Sequence, residues 1–327
     1  MMNRRRILIA LGASALGASK WTFAQKPKLY RIGVAPLRQS TLGAPPFQAL
    51  LQELRTIGYV EGQTISIVSR SAEDNPARLP ALTAELVSEK VDVILALTTR
   101  ATQAAQRATT SIPIVMVEVS DPIASGLAQS LTRPGSNITG TSNLNYELSS
   151  KRLELLKEIS PKLSRLAVIV ADEPQVAGQL EQIQAAAKVL GVRILTTQVV
   201  RRSDFESVGK QLRAWGADGM FVVDSSTTSG NARLLAEFAA QLGLPGVYPQ
   251  GSRFAEVGGL MGYGADRLEL HRKAARYIDK ILKGANPAEL PIELPTRYEL
   301  VINMKTAKVL RIKIPQSLLL RADRVIT

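Results

Sequence analysis

The feature that most constrains the fold is a unit of strand, polar turn and helix that occurs twice between residues 91 and 131. The two apolar runs, 91–97 and 112–119, are typical of strands buried on both faces of a parallel sheet. Two polar residues follow each run: Thr98 and Thr99 after the first, Ser120 and Asp121 after the second. In open α/β sheets, ligands bind at the carboxyl ends of the strands, so the sequence predicts a binding site at this edge.

The turn after the first run is expected to begin a helix over 101–108. Helix N-termini offer free N–H groups and a positive dipole end, which favour an anion. Thr99 is the predicted N-cap, so Thr98 remains available to bind a ligand. Arg100 fits two interpretations, an ion pair with an anionic ligand group or a solvated surface arginine.

The turn after the second run predicts a helix over 123–131, with Asp121 as its N-cap and a proline at its first position. Ser120 is therefore the better ligand candidate of the two. Glu118 lies on the same strand face as Ser120, because side chains alternate along a strand. A carboxylate late in a buried strand requires a partner, which is a structural group, water or the ammonium group of a ligand.

Strands and helices alternate along the chain from Gln25, and the pattern restarts after residue 143. Apolar runs predict strands at 31–37, 64–73, 91–97 and 112–119 in the first half, and at 166–171, 192–200, 218–224 and 246–249 in the second. Two α/β halves of about 115 residues, each with polar turns at its strand ends, predict two doubly wound domains that face one another.

The C-terminal part is expected to connect the two domains again. It predicts an amphipathic helix over 265–284, a Pro-rich connector over 286–296 and a last strand over 317–326. We expect three crossings between the lobes, near 141–146, 253–265 and 286–297. Lobe 1 is then formed by 25–142 and about 264–290, and lobe 2 by 143–263 and about 291–327.

The first 24 residues have the pattern of a secretory signal peptide. Three arginines, Arg4 to Arg6, precede an apolar stretch at 7–19, and small residues at Thr22 and Ala24 suit a signal peptidase. We expect cleavage after Ala24 and a periplasmic protein, by either the general or the twin-arginine route. A disordered basic tail is the alternative.

Composition excludes several classes of function. Removal of the signal peptide leaves 37 basic and 28 acidic residues, a net charge of +9, without a block of basic and aromatic residues, so nucleic-acid binding is not expected. The chain has no cysteine and one histidine, His271, for which a solvated or partly packed role is favoured. We therefore expect no metal site and no Ser–His–Asp triad. No GxGxxG follows the first strand, so no dinucleotide cofactor is expected.

Other candidate ligand contacts lie where predicted strands end. They are Ser40 and Thr41 in the first strand–helix loop, Asn143 and Tyr146 past the first crossing, Asp224 and Ser225 after a strand of the second half, and Tyr248 and Tyr263 after later strands. Asp224 suits either an amine or a helix cap, and each tyrosine suits either stacking on a ligand or packing in the core.

Several motifs resemble those of the solute-binding proteins of ABC transporters with the periplasmic binding protein type I fold, in the subgroup that includes tryptophan- and other amino-acid-binding members. The matching segments are 53–65, 79–87, 91–96, 112–131, 133–140, 299–310 and 314–326, which together extend over nearly the whole mature chain. The resemblance implies an exported receptor, not an enzyme, whose two lobes close over a small solute and present it to a membrane permease.

The sequence departs from this pattern at two places in the expected pocket. Thr99-Arg100-Ala101 stands where members often have Thr-Pro-Ala, and Glu118 stands where a small or apolar residue is common. The ligand of a relative is therefore not assigned to this chain.

The strand-end residues favour an amino acid or an aromatic or aliphatic carboxylate over a sugar. The protein is expected to act as a monomer with its permease. The alternatives are an exported sensor or a small-molecule enzyme on the same layers, since the fold alone does not separate them. The effector domain of a transcription regulator is a third class, but DNA-binding helices are missing from the N-terminal sequence.

Overall fold

A computed structural model describes residues 28–144, 147–173, 176–199 and 203–327. The predicted signal peptide and Tyr146 lie outside these ranges. The first range contains strands β1 (Tyr30–Val34), β2 (Ile65–Ser69), β3 (Val93–Ala96), β4 (Ile114–Val119) and β5 (Ile138–Ser142), and helices α1 (Pro45–Thr56), α2 (Leu79–Ser88) and α3 (Thr99–Ala108).

The rest of the described chain continues the alternation of helices and strands. Up to the end of the second set it forms α4 (Ser149–Ile159), β6 (Arg165–Val170), α5 (Val176–Leu190), β7 (Arg193–Gln198), α6 (Asp204–Trp215), β8 (Gly219–Val222), α7 (Ser226–Gly230), α8 (Ala232–Leu242), β9 (Gly246–Tyr248), α9 (Gly251–Ala255) and β10 (Met261–Ala265). It ends with α10 (Arg267–Leu282), β11 (Tyr298–Asn303), α11 (Met304–Val309), α12 (Gln316–Arg321) and β12 (Arg324–Ile326).

The strands form two sheets, which we call the sheets of lobe 1 and lobe 2. Among the described residues, lobe 1 has five parallel strands in the order β2-β1-β3-β4-β5. Lobe 2 has seven in the order β12-β11-β10-β9-β8-β6-β7, and of these pairs only β10–β11 is antiparallel. The two doubly wound lobes expected from the sequence are confirmed.

The sheet of lobe 1 is buried on both faces, which explains its continuous apolar strands. Val93 and Leu95 of β3 pack on one side with helix α10, whereas Ile94 and Ala96 pack on the other with α2 and α3. The alternation follows from the two-residue period of a strand. Helix α10 is thus part of lobe 1, although β10, which ends at Ala265 just before it, is part of the other sheet.

The described chain passes between the lobes three times. The passages lie between β5 and α4, between β10 and α10, and between the connector and β11. In the connector, the amide of Ile292 donates to the Leu131 carbonyl and that of Glu293 to the Gly140 carbonyl. These bonds keep Ile292 and Glu293 on lobe 1, two residues past the approximate boundary near 291 that the sequence predicts.

Two elements differ from the sequence-based expectation. The predicted helix over 123–131 is wrong: the segment makes turns, because Gly126 adopts a φ of 69° and its amide bonds the Ile123 carbonyl. The predicted strand over 317–326 is also wrong. Its first part is helix α12, which begins after Pro315, and only Arg324–Ile326 form a strand.

Gly140 is expected to be indispensable for the pairing of β5 with β4. Its φ is 135°, and an added Cβ would lie 2.1 Å from the Met116 carbonyl oxygen. Gly140→Ala should therefore lower the free energy of unfolding by about 3 kcal/mol or more in urea denaturation. Gly178→Ala in α5 is the matched control: its Cβ would meet open space, and it should raise stability by about 0.5–1 kcal/mol. A Gly140→Ala variant as stable as wild type would contradict this packing.

Candidate ligand-binding cleft

The carboxyl ends of strands from both lobes meet around a cavity of about 100 Å³. Predicted residues line it from both sides: Thr41, Thr98, Thr99, Glu118 and Ser120 from lobe 1, and Asp224 and Ser225 from lobe 2. Charged side chains that the sequence did not single out as contacts also line it: Arg38, Asp74, Arg253 and Arg267. The cleft thus has the position expected for a ligand site in facing α/β sheets.

The start of α3 forms part of the lobe 1 wall. Thr98, not Thr99, is the N-cap, because its Oγ1 accepts a hydrogen bond from the Ala101 amide at 3.2 Å. Thr99 is the first residue of the helix and is buried. Thr98 is therefore partly used in capping, contrary to the expectation that it is available to a ligand.

Glu118 has a structural cation as its partner. Its Oε1 accepts from Arg267 Nε at 2.7 Å and lies 3.3 Å from His271 Nδ1. Burial raises the pKa of the Glu118 carboxyl, but the charge and hydrogen bond of Arg267, together with the nearby His271 and Arg253, outweigh this effect and hold the pKa below its ordinary value. The residue also has a φ of 59°, which costs about 1–3 kcal/mol outside glycine. The register of β4 and β5 shifts at the same place.

His271 is buried, against the favoured solvated or partly packed role. Its Nδ1 lies 2.9 Å from the Arg267 carbonyl oxygen and near the Glu118 carboxylate, and both are acceptors. Nδ1 therefore carries the ring proton. Burial lowers the pKa of His271 below 6.5, although Glu118 acts in the opposite direction, so the ring is neutral at pH 7.

Asp224 is the point at which the two lobes are joined inside the cleft. Its Oδ2 accepts from Ser120 Oγ of lobe 1 at 2.8 Å. The Gln179 side chain fixes its backbone, since Oε1 accepts from the Asp224 amide at 3.0 Å and Nε2 donates to the Asp224 carbonyl at 2.8 Å. Gln250 Nε2 donates to Asp224 Oδ1 at 3.3 Å. The carboxylate is thus buried and held in one orientation.

Two groups of the lobe 2 wall have unused hydrogen-bonding capacity. Gln250 Oε1 is buried and has no hydrogen-bond partner, because Nε2 of the same amide bonds Asp224 and Ser229. Arg253 donates through Nε to the Ser229 carbonyl at 3.0 Å, and within the described ranges it has no ion-pair partner. Burial lowers its pKa to about 10, so the guanidinium remains charged at pH 7. A residue with a buried, unsatisfied acceptor and a cation without an ion-pair partner therefore line the same cleft.

Arg100 connects the lobes beside the cleft and is not one of its lining residues. Its Nη2 donates to the Asp172 carbonyl at 3.2 Å and lies 3.6 Å from Glu173 Oε1. The Glu173 carboxylate also accepts from the amides of Ser226 and Thr227 at the start of α7. Arg100 thus remains 33% exposed at the surface, and its ion pair is with a protein carboxylate of the other lobe.

The other predicted contacts are not brought to the cleft. Asp121 accepts from the Ile123 and Ala124 amides and so caps a turn, not a helix. Asn143 is buried and is not a lining residue, and its Nδ2 donates to the Glu118 carbonyl at 3.4 Å. Tyr248 stacks on Phe254 in the core of lobe 2, and Tyr263 packs against Tyr298. Ser40 is exposed outside the lining, and Tyr146 lies outside the described residues.

The residues that sequence reasoning missed come from segments far from the strands singled out. Gln250 follows β9 and is found by the same strand-end rule applied to every strand. Arg267 and His271 are four residues apart on α10, which places them on one helix face. Arg38 pairs with Asp74 at the mouth of the cleft, and no sequence signal joins these two.

The described residues contain no group of three or more His, Cys, Asp or Glu side chains placed to hold a metal ion. Within the same ranges, no helix has the length and apolar character that a membrane span requires.

Comparison with known proteins identifies the family. The family model described as ABC transporter substrate binding protein matches residues 46–326, so the chain belongs to this family of solute-binding proteins. A protein named "Tyrosine-binding protein" from Clostridioides difficile (strain R20291) is 28% identical over 305 residues, which cover 91% of this chain and 85% of that protein.

Two solved structures share the fold over the same extent. A conserved domain protein from Vibrio cholerae superposes with a TM-score of 0.84 at 28% identity, covering 91% of this chain and 100% of the other. The ABC domain in complex with L-Trp from Streptococcus pneumonia gives a TM-score of 0.84 at 26% identity, with the same coverage. The family resemblance and the periplasmic binding protein fold are confirmed.

The buried neutral His271 should make stability depend on pH. Its pKa is lower in the folded than in the unfolded protein, so below pH 6.5 the unfolded chain binds a proton that the folded chain does not. The free energy of unfolding should therefore fall as pH is lowered from about 7.5 to 5.5, by at most about 1.4 kcal/mol per pH unit.

Because His271 is the only histidine, His271→Gln should abolish the slope in this interval. Urea denaturation at each pH measures the free energy of unfolding. The loss of stability below about pH 5, where carboxylates titrate, should remain in the variant and serves as the internal control. An equal slope in the variant would refute the burial of a neutral imidazole.

Proposed function

We propose that this protein is the exported receptor of an ABC importer and that it captures a small amino acid between its lobes. It then presents the solute to a membrane permease and performs no chemistry on it. Membership of the solute-binding family supports the class of function. The observation that carries the choice of ligand is a pair of groups in the lobe 2 wall, the Arg253 guanidinium without an ion-pair partner and the unsatisfied Gln250 Oε1.

The carboxylate of the ligand is assigned to Arg253. A guanidinium presents a planar fork of donors that matches a carboxylate, and here only Nε is engaged, by the Ser229 carbonyl. A partly buried charge without an ion-pair partner gains from a counter-charge, so binding of a carboxylate there is favourable. The N-terminus of α3 adds a positive dipole end to the same cleft.

The ammonium group is assigned to Asp224 and Gln250. An ammonium group is a donor only, and it needs acceptors. Gln250 Oε1 is an unpartnered acceptor, and the Asp224 carboxylate beside it adds a negative charge. A simple carboxylic acid leaves this acceptor unsatisfied, which favours an amino acid over an aliphatic or aromatic acid.

The charges of the cleft support a zwitterion. The described lining residues include three arginines, Arg38, Arg253 and Arg267, and three acidic residues, Asp74, Glu118 and Asp224. Because these charges balance, a ligand without net charge adds no unpaired buried charge. A sugar would carry no charge to match Arg253.

The side chain of the ligand is constrained less. The relative from Clostridioides difficile is named for tyrosine, and the related structure was solved with L-Trp. In this chain no phenylalanine, tyrosine or tryptophan lines the cleft among the described residues, and the cavity of about 100 Å³ is smaller than the ~300–1,000 Å³ of most small-molecule pockets. We therefore propose a small or polar amino acid, with the aromatic ones as the alternative.

The location follows from the N-terminal sequence. We propose that the first 24 residues direct export to the periplasm and are removed there. The monomeric state and the contact with the permease belong to the same proposal.

Calorimetric titration with the common amino acids, benzoate and glucose tests the assignment. Arg253→Gln and Asp224→Asn should each weaken amino-acid binding by about ten- to hundredfold, because each removes a charge-assisted hydrogen bond of roughly 1.5–3 kcal/mol. Asp121→Asn is the matched control, because Asp121 caps a turn and is not a lining residue. This variant should bind amino acids with the affinity of the wild-type protein. Tight binding of glucose, or undiminished amino-acid affinity in both variants, would reject the proposed ligand.

A further inference from the structure

We propose that Glu118 and Arg267 form a charge filter that restricts the cleft to ligands with a single carboxylate. The filter rests on the proposed function, because it concerns which amino acids the same site admits. It selects neutral amino acids and rejects those whose side chain carries a second carboxylate.

Glu118 is held in the cleft by an unusual backbone. Its φ of 59° lies in the left-handed region, and the pairing of β4 with β5 is irregular next to it. Its side chain is 9% exposed and lies among the lining residues, where Arg267 Nε binds it at 2.7 Å. Strained positions of this kind concentrate at ligand sites, where the surrounding structure maintains them.

The charges around Glu118 determine how many carboxylates the site can neutralise. On the side assigned to the ligand carboxylate, Arg253 and Arg267 contribute two positive charges and Glu118 contributes one negative charge, so one carboxylate is neutralised there. Arg38 and Asp74 pair with each other, and Asp224 is assigned to the ligand ammonium group. Glu118 and Arg253 are near enough to influence each other's pKa. A second ligand carboxylate would meet Glu118 in a poorly solvated cleft, where like charges repel strongly.

Among the described residues, the groups that act on the Glu118 carboxylate include no charged cation besides Arg267 and Arg253. His271 is neutral, with its Nδ1 proton directed to the Arg267 carbonyl oxygen and the Glu118 carboxylate. Arg38 is paired with Asp74. Asp224 of the opposite wall adds a negative charge and therefore also disfavours a second carboxylate. A single substitution at Glu118 or Arg267 therefore changes the charge balance at this side of the cleft.

Glu118→Gln removes one negative charge and leaves an amide oxygen that still accepts from Arg267. The probes are two pairs that differ only in acid against amide: L-glutamate with L-glutamine, and 4-carboxy-L-phenylalanine with 4-carbamoyl-L-phenylalanine. Calorimetry on the purified full-length protein should show that the ratio of acid to amide affinity rises about ten- to hundredfold in Glu118→Gln for at least one pair.

Two further variants separate charge from shape. Glu118→Gln combined with Arg267→Gln restores the net charge of the wild-type cleft, so the ratio of acid to amide affinity should return to the wild-type value. Glu181→Gln changes the net charge of the protein equally at an exposed position of α5 and should leave the ratio unchanged. If Glu118→Gln does not fold, Arg267→Gln makes the opposite change and should lower the ratio below that of wild type.

Amino-acid binding with an unchanged ratio in Glu118→Gln would overturn the filter and leave the proposed function standing. A raised ratio that persists in the double variant would also overturn it, because the charge of Arg267 would then not be the cause. Failure of every amino acid to bind the folded wild-type protein would instead reject the proposed function, and the filter with it.

Discussion

The structure depends on one buried carboxylate, that of Asp224, which lies where the two lobes meet. A buried carboxylate needs donors, and here they come from both sides of the cleft: Ser120 of lobe 1 and Gln250 of lobe 2. The Gln179 side chain fixes the Asp224 backbone, because it accepts from the Asp224 amide and donates to the Asp224 carbonyl. Because the donors belong to different lobes, the hydrogen bonds of Asp224 depend on the relative position of the lobes. A ligand that binds both walls favours the position in which these bonds form.

The sequence predicted the architecture because buried parallel strands have a strong signature. Their apolar runs and the polar residues after them located both sheets and several lining residues, including Glu118, Ser120 and Asp224. Local rules failed where one turn resembles another. Thr98, not Thr99, caps α3. Asp121 caps a turn and not a helix, because a single turn closed by Gly126 begins with the same capping residue as a long helix.

The charged half of the cleft was not predictable from local patterns. Arg253 and Arg267 lie on helices that reach the site only after the chain has passed between the lobes, and Glu118 finds its partner 149 residues away. For the tyrosines after strands, the sequence left ligand stacking and core packing open, and in the structure Tyr248 stacks on Phe254 in the core of lobe 2. Strand-end position therefore predicts small polar contacts better than it predicts large side chains.

A crystal structure of the protein with its best-binding amino acid tests the proposed binding mode most directly. We expect the ligand ammonium nitrogen within about 3.2 Å of Gln250 Oε1 and the Asp224 carboxylate, and its α-carboxylate on the Arg253 guanidinium. A ligand seated in the reverse orientation, or one that leaves both Arg253 and Gln250 Oε1 without contact, would contradict it.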